Sequence, residues 1–412
     1  MKIKPLASCS PLILCLVAGA ARADLEPYSF QASEQLQHQS NIFHSGTDHK
    51  ADWLSTTELQ AAVDQAIGRE RVLGGASVNF DHYFDTHDRD SVGYSARGEL
   101  DWSTIGDLSG AIGADSRRRQ YLYGLEGDTS SSSRNLETDN HAFTRVQLGG
   151  LARWSIFGGL DASQRRYSDP AFDLNEVKQW SGSAGTSYQT SPDLAFGIQG
   201  RYTHGSYPHI LLGGSQEDFS VRSGGVNVKW TATGNTSFDA NVGYTDQQTD
   251  GQSPQRFVNG ALNWHWAPPS HFGFTLGLVR DSSNSSGTEA TIVNSNNSIN
   301  ARSLNTTAQL DVTYALTAKI NLDLLTQYVH RKYSDALVPT GFSLGGLPSL
   351  AAVTGSNDTT RVTLSAHYAP TRTTTIGCGL SREKHTSAQS IIAISQPYTD
   401  NTVGCSAAIE FK

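Results

Sequence analysis

Charged residues that stand two positions apart recur along this chain, and that spacing places them on one face of a β-strand. In the stretch SARGELDW at 95–102, Arg97, Glu99 and Asp101 alternate with small or apolar residues. Guanidinium and carboxylate groups on a common wet face can hydrogen-bond the hydroxyls of a sugar, or can pair with one another. With both signs interspersed, such a face exerts no strong net field and does not indicate selectivity for one kind of ion.

No arrangement of residues in the sequence indicates catalysis. The nucleophile motif G-x-S-x-G is absent, and the 13 histidines form neither H-E-x-x-H nor a spaced cluster with cysteine. His265 lies between two tryptophans in the segment WHW, but the alternation of a strand places it on the opposite face from both. We therefore predict a protein that is not an enzyme and that uses no cofactor and no metal.

The elements that must position the charged residues are β-strands. The stretch VTYALTAKINLDLLTQYVHRKYSD at 312–335 alternates apolar and polar residues for most of its length, with a short break at ALTAK. Leu322 and Leu324 share one face, whereas Asn321 and Asp323 lie on the other. This pattern predicts a strand that has an apolar environment on one side and water on the other.

The composition and the N-terminal segment narrow the class of protein. The chain has 412 residues with 39 glycines and one methionine, which is typical of many strands and turns. Residues 1–23 combine a basic start, a short apolar run and a small-residue site, so we predict a signal peptide there and a single exported unit over 24–412. After residue 23 the sequence contains no run of 18 apolar residues, so it predicts no transmembrane helix. The net charge of −8, without long basic clusters, argues against a nucleic-acid partner.

One sequence unit recurs with variable spacing: an aromatic residue, a short break, and an alternating segment that ends polar. The variation lies after the polar end, so one class of loop is short and the other is long. We predict an all-β fold, a transmembrane antiparallel up-and-down β-barrel of about 18 strands in the cell outer membrane, with short periplasmic turns and long extracellular loops. Sixteen strands is the alternative, because the first hairpin is the least regular. A soluble β-sandwich would also alternate.

The predicted strands are 27–44, 53–67, 71–85, 90–102, 107–123, 136–154, 156–167, 175–189, 193–205, 217–230, 235–247, 255–266, 271–282, 299–314, 318–333, 358–369, 373–386 and 396–411. Parity along them predicts which charged residues line the pore: Arg97, Glu99, Asp101, Asp115, Arg117, Arg119, Arg145, Arg153, Asp161, Arg165, Arg201, Asp239, Asp311, Asp323, Arg331, Arg361 and Glu383. The aromatic residues that open the units keep the apolar parity and would form a girdle at one membrane interface: Trp102, Trp154, Trp230, Trp266, Tyr314 and Tyr368.

Two further features concern the outer wall and the ends of the strands. Cys378 and Cys405 should lie directly opposite one another on the lipid-facing parity, either as a cross-strand disulfide or as two small apolar side chains. Basic segments at 117–123, 165–167 and 331–333 come where strands leave the membrane. There they could meet lipopolysaccharide phosphates or an acidic polymer, or could simply extend their charges towards water.

Several segments, in this order and spacing, carry a resemblance to a known family: SNIF at 40–43, RNLET at 134–138, RRYSD at 165–169, GTSYQTSPDLAFGIQGRYTHGSYP at 185–208, HYAPTRTTT at 367–375 and YTDNT at 398–402. The chain resembles the EpsL-type outer-membrane proteins encoded with bacterial exopolysaccharide biosynthesis systems, a group of β-barrel porins. The last strand departs from many outer-membrane barrels, since Lys412 follows the aromatic Phe411.

The resemblance implies a channel that passes polysaccharide across the outer membrane or assists its export, with polysaccharide and periplasmic export machinery as partners besides outer-membrane lipid and lipopolysaccharide. A general or sugar-uptake porin is the first alternative, and a structural or adhesive surface barrel is the second. The loop at 337–353 is apolar for an exposed one, so we expect it either to pack inside the lumen as a plug or to contact a partner. The resemblance supplies no catalytic or binding motif.

Overall fold

The computed structural model describes residues 27–121, 134–150, 152–212, 215–250, 253–282, 303–342, 348–389 and 396–411. The predicted signal peptide at 1–23 lies outside these ranges. Eighteen strands follow in chain order: β1 Tyr28–Gln39, β2 Asp52–Ile67, β3 Glu70–Tyr83, β4 Ser91–Ser103, β5 Leu108–Gln120, β6 Leu136–Leu148, β7 Trp154–Tyr167, β8 Val177–Ser191, β9 Leu194–Leu212, β10 Ser215–Thr233, β11 Thr236–Thr249, β12 Gln255–Trp266, β13 Phe272–Ser282, β14 Ser303–Thr317, β15 Ile320–Phe342, β16 Pro348–Tyr368, β17 Thr374–Ser387 and β18 Tyr398–Phe411.

The strands form one closed antiparallel barrel. Each strand pairs with its neighbours in sequence, and β1 pairs with both β2 and β18. Closure matters because a strand edge left open in hydrocarbon would expose unpaired backbone N–H and C=O groups. The predicted fold class and the count of 18 strands are therefore confirmed, and the alternative of sixteen is wrong because the first hairpin, β1 with β2, is a regular ladder.

Some predicted boundaries differ from the observed ones. β1 ends at Gln39 rather than at 44, and β6 ends at Leu148 rather than at 154. The hairpins β9–β10 and β15–β16 are longer than predicted, since β15 runs to Phe342 and β16 begins at Pro348. These extensions lie beyond the alternating core of each strand.

The two faces of the wall differ in polarity as the alternation predicts. Large apolar side chains point outward and stay exposed, for example Trp154 at 62% and Leu160 at 60%. The outward aromatic rings next to the short turns of β10 to β14 form a continuous row, from Trp230 stacked on Phe238 at 5.5 Å to Phe272 against Tyr314 at 4.5 Å. All six predicted girdle residues lie on the outward parity at strand ends next to short turns.

The loops at the two ends of the barrel are unequal. At one end the connections are short, such as the turn between Ile67 and Glu70, where Gly68 has φ +67°. At the other end several are long, such as the twelve residues between Gln39 and Asp52, and two short 3-10 turns, His87–Arg89 and Pro170–Asn175, lie within this set. By length, the first end is the periplasmic one and the second the extracellular one. No described helix has the length and apolar character needed to cross a bilayer.

A disulfide and a carboxylate also lie on the outer wall. Cys378 and Cys405 are directly opposite one another on β17 and β18 and are joined by a disulfide. Glu34, halfway along β1, points outward, and its carboxylate accepts hydrogen bonds from Ser55 at 3.1 Å and Thr57 at 2.7 Å. These two hydroxyl groups supply part of the solvation that hydrocarbon cannot give the carboxylate.

Arginine and lysine residues on the outward face of the described strands lie near the extracellular ends. We call this set the basic belt: Arg118, Arg166, Lys178, Arg222, Arg256, Arg280, Lys332, Arg382 and Lys384.

Candidate functional site

Almost all of the residues that we predicted to line the pore lie on the inward face of a strand. Sixteen of the seventeen have this inward parity, in β4 to β7, β9, β11 and β14 to β17. Arg153 is the exception. It lies in the turn before Trp154, the first residue of β7, and its carbonyl accepts a hydrogen bond from the Gln189 amide at 2.7 Å. That bond extends the β7–β8 pairing by one residue beyond Trp154 and Tyr188, so the place of Arg153 in the pore lining stays a prediction.

The same inward parity holds more acidic residues than we predicted. Two further basic residues, Arg71 and Lys229, share it, as do ten further acids: Asp52, Glu58, Asp64, Asp81, Glu137, Asp139, Glu217, Asp281, Asp400 and Glu410. With these, the inward faces of the described strands carry eighteen carboxylates against ten arginines and lysines. The expectation of a balanced wall is therefore wrong, since the wall is acidic.

Paired charges form a ladder on the inner face of β5 to β7. Arg119 donates to the Glu137 carboxylate from Nε at 3.0 Å and from Nη2 at 2.8 Å. One level nearer the periplasm, Arg165 donates to Asp139 at 2.5 Å, and Arg117 approaches the same carboxylate at 3.5 Å. Glu137 is fully buried, so the guanidinium partners supply the solvation that it loses.

The ladder continues towards the periplasm through a histidine. His141 lies between two carboxylates, with Nδ1 at 2.9 Å from Asp115 and Nε2 at 3.4 Å from Asp161. Asp161 also accepts a hydrogen bond from Arg201 at 3.2 Å, and Arg201 donates to the Ser181 hydroxyl at 2.8 Å. The arginines on this side of the lumen are thus largely neutralised by their own neighbours.

Carboxylates on the opposite side of the lumen lack such partners. Asp311 on β14 and Asp323 on β15 face the lumen near the periplasmic end, and neither forms an ion pair with an arginine or lysine among the described residues. The nearest basic group to Asp323 is His367 Nε2 at 3.5 Å. Glu58 likewise has no such partner in the described part of the chain, whereas Asp101 lies opposite Arg71 across the β3–β4 ladder. The surplus of negative charge therefore comes from unneutralised carboxylates.

A second network occupies the extracellular end of β16 to β18. Glu383, which is buried, accepts a hydrogen bond from Arg361 Nε at 2.6 Å and another from the Tyr398 hydroxyl at 2.5 Å. Tyr398 stacks on His385, with ring centroids 5.0 Å apart. The His385 ring in turn lies 2.8 Å from the Thr359 hydroxyl through Nδ1. Of these residues, only Arg361 and Glu383 were predicted.

The β1–β2 loop, residues 40–51, folds into the mouth of the barrel. Its contacts are with inward-facing side chains: His44 stacks on Tyr398 at 4.5 Å, and Ile42 packs with Leu54 and Tyr83. Ile42 also accepts a hydrogen bond through its carbonyl from the buried Arg89 at 2.8 Å. The β1–β2 loop therefore packs against the inner wall at the extracellular end of the barrel.

Asp400 on β18 holds the base of the β1–β2 loop. Its Oδ1 accepts hydrogen bonds from the Asn41 amide at 2.9 Å and the Ser40 hydroxyl at 3.0 Å. Asn41 then ties the loop to itself, since its side-chain amide donates to the Ser45 carbonyl at 2.8 Å and its Oδ1 accepts from the Ser45 amide at 3.1 Å. Gly46 passes so close to Pro397 that a Cβ there would lie 2.6 Å from the Pro397 carbonyl oxygen.

A second loop folds inward on another side of the mouth. In the β7–β8 loop, residues 168–176, Phe172 is buried against the inward-facing Tyr121 and Tyr167, with ring centroids 5.1 and 5.8 Å away. Tyr207 and Phe219 from β9 and β10 complete this apolar cluster. Both inward loops therefore take up part of the cross-section at the extracellular end.

The structure describes part of the segment that we expected to plug the lumen or to contact a partner. Residues 336–342 and 348–353 pair with one another as a two-stranded ribbon that continues β15 and β16, with a register shift between Tyr333 and Ala336. Residues 343–347 lie outside the described ranges. The loops shown to fold against the inner wall are instead the β1–β2 and β7–β8 loops, which the sequence did not single out.

One cluster among the described residues could offer ligands to a cation. His82, His87 and Asp90, in the β3–β4 hairpin, present three ligand atoms within 4.8 Å of one another. His82 Nδ1 and Asp90 Oδ2 already lie 2.9 Å apart, and Asp90 Oδ1 accepts a hydrogen bond from the Tyr83 amide at 2.8 Å. A metal ion would have to displace the first of these contacts, so we build no function on this cluster.

Comparisons with known proteins find the fold but no close relative. No protein family matches the chain, and neither does any curated protein. The crystal structure of Acinetobacter baumannii OccAB3 is 12% identical, covers 93% of this chain and 99% of its own, and has a TM-score of 0.50. Pseudomonas aeruginosa OccK1 (OpdK) is 14% identical, with coverage of 94% and 100% and a TM-score of 0.49. OpdQ from the same organism is 12% identical, with coverage of 93% and 98% and a TM-score of 0.49.

The likeness to OccAB3 concerns the fold alone. The closed ladder of eighteen strands, the apolar outer wall and the polar inner wall agree with it, so the protein is an outer-membrane β-barrel and its location is the outer membrane. None of the comparisons supports the finer resemblance to EpsL-type proteins.

Proposed function

We propose that the protein is a passive channel for small hydrophilic solutes across the outer membrane, with a preference for cations. The observation that carries the proposal is the acidic inner wall of a closed eighteen-stranded barrel, with eighteen carboxylates against ten arginines and lysines. Barrels of sixteen to eighteen strands are wide enough to hold an aqueous channel. Side chains that are charged and hydrated suit a pathway that solutes cross by diffusion.

The cation preference follows from where the unpaired charges lie. The arginines of the β5–β7 ladder are bonded to their own acids, so they contribute little net field. Asp311 and Asp323 have no arginine or lysine partner among the residues that the structure describes, and both face the lumen. Carboxylates on the low-dielectric wall of a narrow passage raise the local concentration of cations and lower that of anions.

The limit on solute size follows from the mouth. The β1–β2 and β7–β8 loops both pack against inward-facing side chains at the extracellular end, and each narrows the opening. This arrangement favours small solutes over a polymer. Export of polysaccharide remains the alternative, and it rests on the sequence resemblance to EpsL-type proteins.

Planar bilayers test the proposal directly. The purified protein should give an open conductance, and in a potassium chloride gradient the reversal potential should show potassium to be more permeant than chloride. The double variant Asp311→Asn with Asp323→Asn should move the permeability ratio towards one. Asp358→Asn is the matched control, because Asp358 faces outward and bonds to Tyr328.

Three results would contradict the proposal: no conductance, a chloride preference in the wild type, or an equal loss of cation preference in the control. The export alternative has its own readout. A deletion strain that traps polysaccharide inside the envelope, together with a closed pore in bilayers, would support export instead.

A further inference from the structure

The members of the basic belt lie within a band near the extracellular edge of the outer wall. Each of its members stands eight to twelve positions from the outward residue that borders the periplasmic end of its strand, as Arg166 does from Trp154. At a rise of about 3.3 Å per residue and a tilt of about 45°, this is roughly 19 to 28 Å. The apolar band of such barrels is about 25 Å tall. The belt therefore lies where the wall meets the headgroups of the outer leaflet.

The positive charge is not evenly balanced around the belt. On β10 to β12, Asp246 faces Arg222 across the ladder and bonds to Arg256 at 3.1 Å, so this part of the belt is partly neutralised. On β5 to β8 the belt has three members, which we call the β5–β8 patch: Arg118, Arg166 and Lys178. No carboxylate on the outward parity of these four strands accompanies them.

A row of polar side chains lies directly below the two arginines of the patch. Ser116, Asn140, Gln164 and Lys178 are successive cross-strand partners on β5 to β8, and all point outward. The Ser116 hydroxyl donates to Asn140 Oδ1 at 2.8 Å. When the side-chain amide of Gln164 is oriented with its oxygen towards Arg166, that oxygen accepts hydrogen bonds from Arg166 Nε at 2.6 Å and from Nη2 at 2.9 Å. These contacts hold hydroxyl, amide and guanidinium groups side by side at the membrane surface.

Small residues follow one level deeper in the membrane. Ala114, Ala142 and Ala162 are partners across β5 to β7, and Trp180 on β8 ends the row. The alanines leave the wall flat beside the exposed indole. From the extracellular side inward, this face thus presents cations, then polar hydrogen-bonding groups, then a shallow apolar surface.

We propose that the β5–β8 patch and the polar row beneath it bind the phosphorylated disaccharide headgroup of lipopolysaccharide. The patch meets the phosphates, the polar row meets the sugar hydroxyls and amides, and the alanine row lies along the acyl chains. Arginine pairs with phosphate through two parallel N–H donors, which gives the contact both strength and orientation. The alternative is that each base merely extends its charge towards water, which would need neither the polar row nor the lack of carboxylates.

The test uses the whole barrel, purified in detergent and freed of bound lipid. The variant replaces the patch: Arg118→Gln, Arg166→Gln and Lys178→Gln together. The control, Arg222→Gln with Arg256→Gln, removes two bases from the neutralised side of the belt. Binding is measured by native mass spectrometry with three probes: rough-type lipopolysaccharide, the same lipopolysaccharide after dephosphorylation, and phosphatidylglycerol.

We expect the wild type to bind intact lipopolysaccharide at least tenfold more tightly than either other probe. The triple variant should lose at least tenfold in affinity, and the control should stay within twofold of the wild type. The proposal is overturned if the triple variant also stays within twofold, or if phosphatidylglycerol binds as well as lipopolysaccharide. Should the triple variant fail to fold, as judged by heat-dependent gel mobility, the single Arg166→Gln variant decides, with an expected loss of about threefold.

Discussion

Asp400 gives the sharpest prediction, because one carboxylate holds the β1–β2 loop in the mouth. The substitution Asp400→Ala removes the acceptor of the Asn41 amide and of the Ser40 hydroxyl. A hydrogen bond to a charged group contributes about 1.5–3 kcal/mol. Losing two of them should therefore destabilise the loop packed in the mouth, relative to the released loop, by about 3 kcal/mol or more. At 1.4 kcal/mol per factor of ten, the population of the released loop should rise roughly a hundred-fold.

Proteolysis measures that population. Lys50 lies near the end of the β1–β2 loop, and its carbonyl accepts a hydrogen bond from the Ile42 amide at 2.9 Å, so trypsin needs a released loop to cut after it. When loop opening is fast relative to cleavage, the cleavage rate follows the open population. The rate after Lys50, followed by mass spectrometry on intact cells, should rise roughly a hundred-fold in Asp400→Ala. Asp400→Asn keeps one oxygen acceptor without the charge and should give a smaller rise, about tenfold.

The control is Asp358→Ala, which removes an extracellular-end carboxylate that faces outward and bonds to Tyr328 and His330. It should leave the cleavage rate after Lys50 unchanged. Cleavage in Asp400→Ala at the wild-type rate would refute the role of Asp400 as the anchor. An equal rise in Asp358→Ala would show that the effect is general loosening of the barrel rather than release of one loop.

Three further predictions concern stability and the mouth. Arg361→Gln leaves the buried Glu383 carboxylate without its cation and should lower the unfolding free energy by about 3 kcal/mol in urea titrations, whereas Arg361→Gln with Glu383→Gln should recover most of the loss. Glu34→Gln removes a charge from the lipid-facing wall and should raise the unfolding free energy by about 1 kcal/mol; a loss of stability would mean that the charge is needed there. Gly46→Ala places a Cβ against Pro397, so it should displace the β1–β2 loop and speed cleavage after Lys50, while unchanged cleavage would show that the backbone can shift.

The sequence predicts the barrel well because the membrane enforces alternation. A strand between lipid and water must change polarity at every residue, and this fixes the strand count and the facing pair Cys378 and Cys405. Outside the membrane both faces are wet and the signal disappears. That is why the extensions of β15 to Phe342 and of β16 from Pro348 were not predicted.

The site was harder to predict for two different reasons. The acids Glu137 and Asp139 lie at odd positions, as Arg145 does, in the stretch ETDNHAFTR. The alternation alone was therefore enough to place them on the inner wall, but we did not include them in the prediction. The β1–β2 loop is different in kind. It turns inward through the contact between Asn41 and Asp400, which are 359 residues apart, and no local pattern indicates such a contact.

The closing pair of strands has a consequence for how the polypeptide can be cut and joined. Phe30 lies opposite Phe411, so the first and last strands start and finish side by side at the periplasmic rim. In a meander that closes on itself, any strand can serve as the first. A circular permutant that links these ends by a few residues and opens the chain at Gly68 should therefore retain the same wall, pore and mouth.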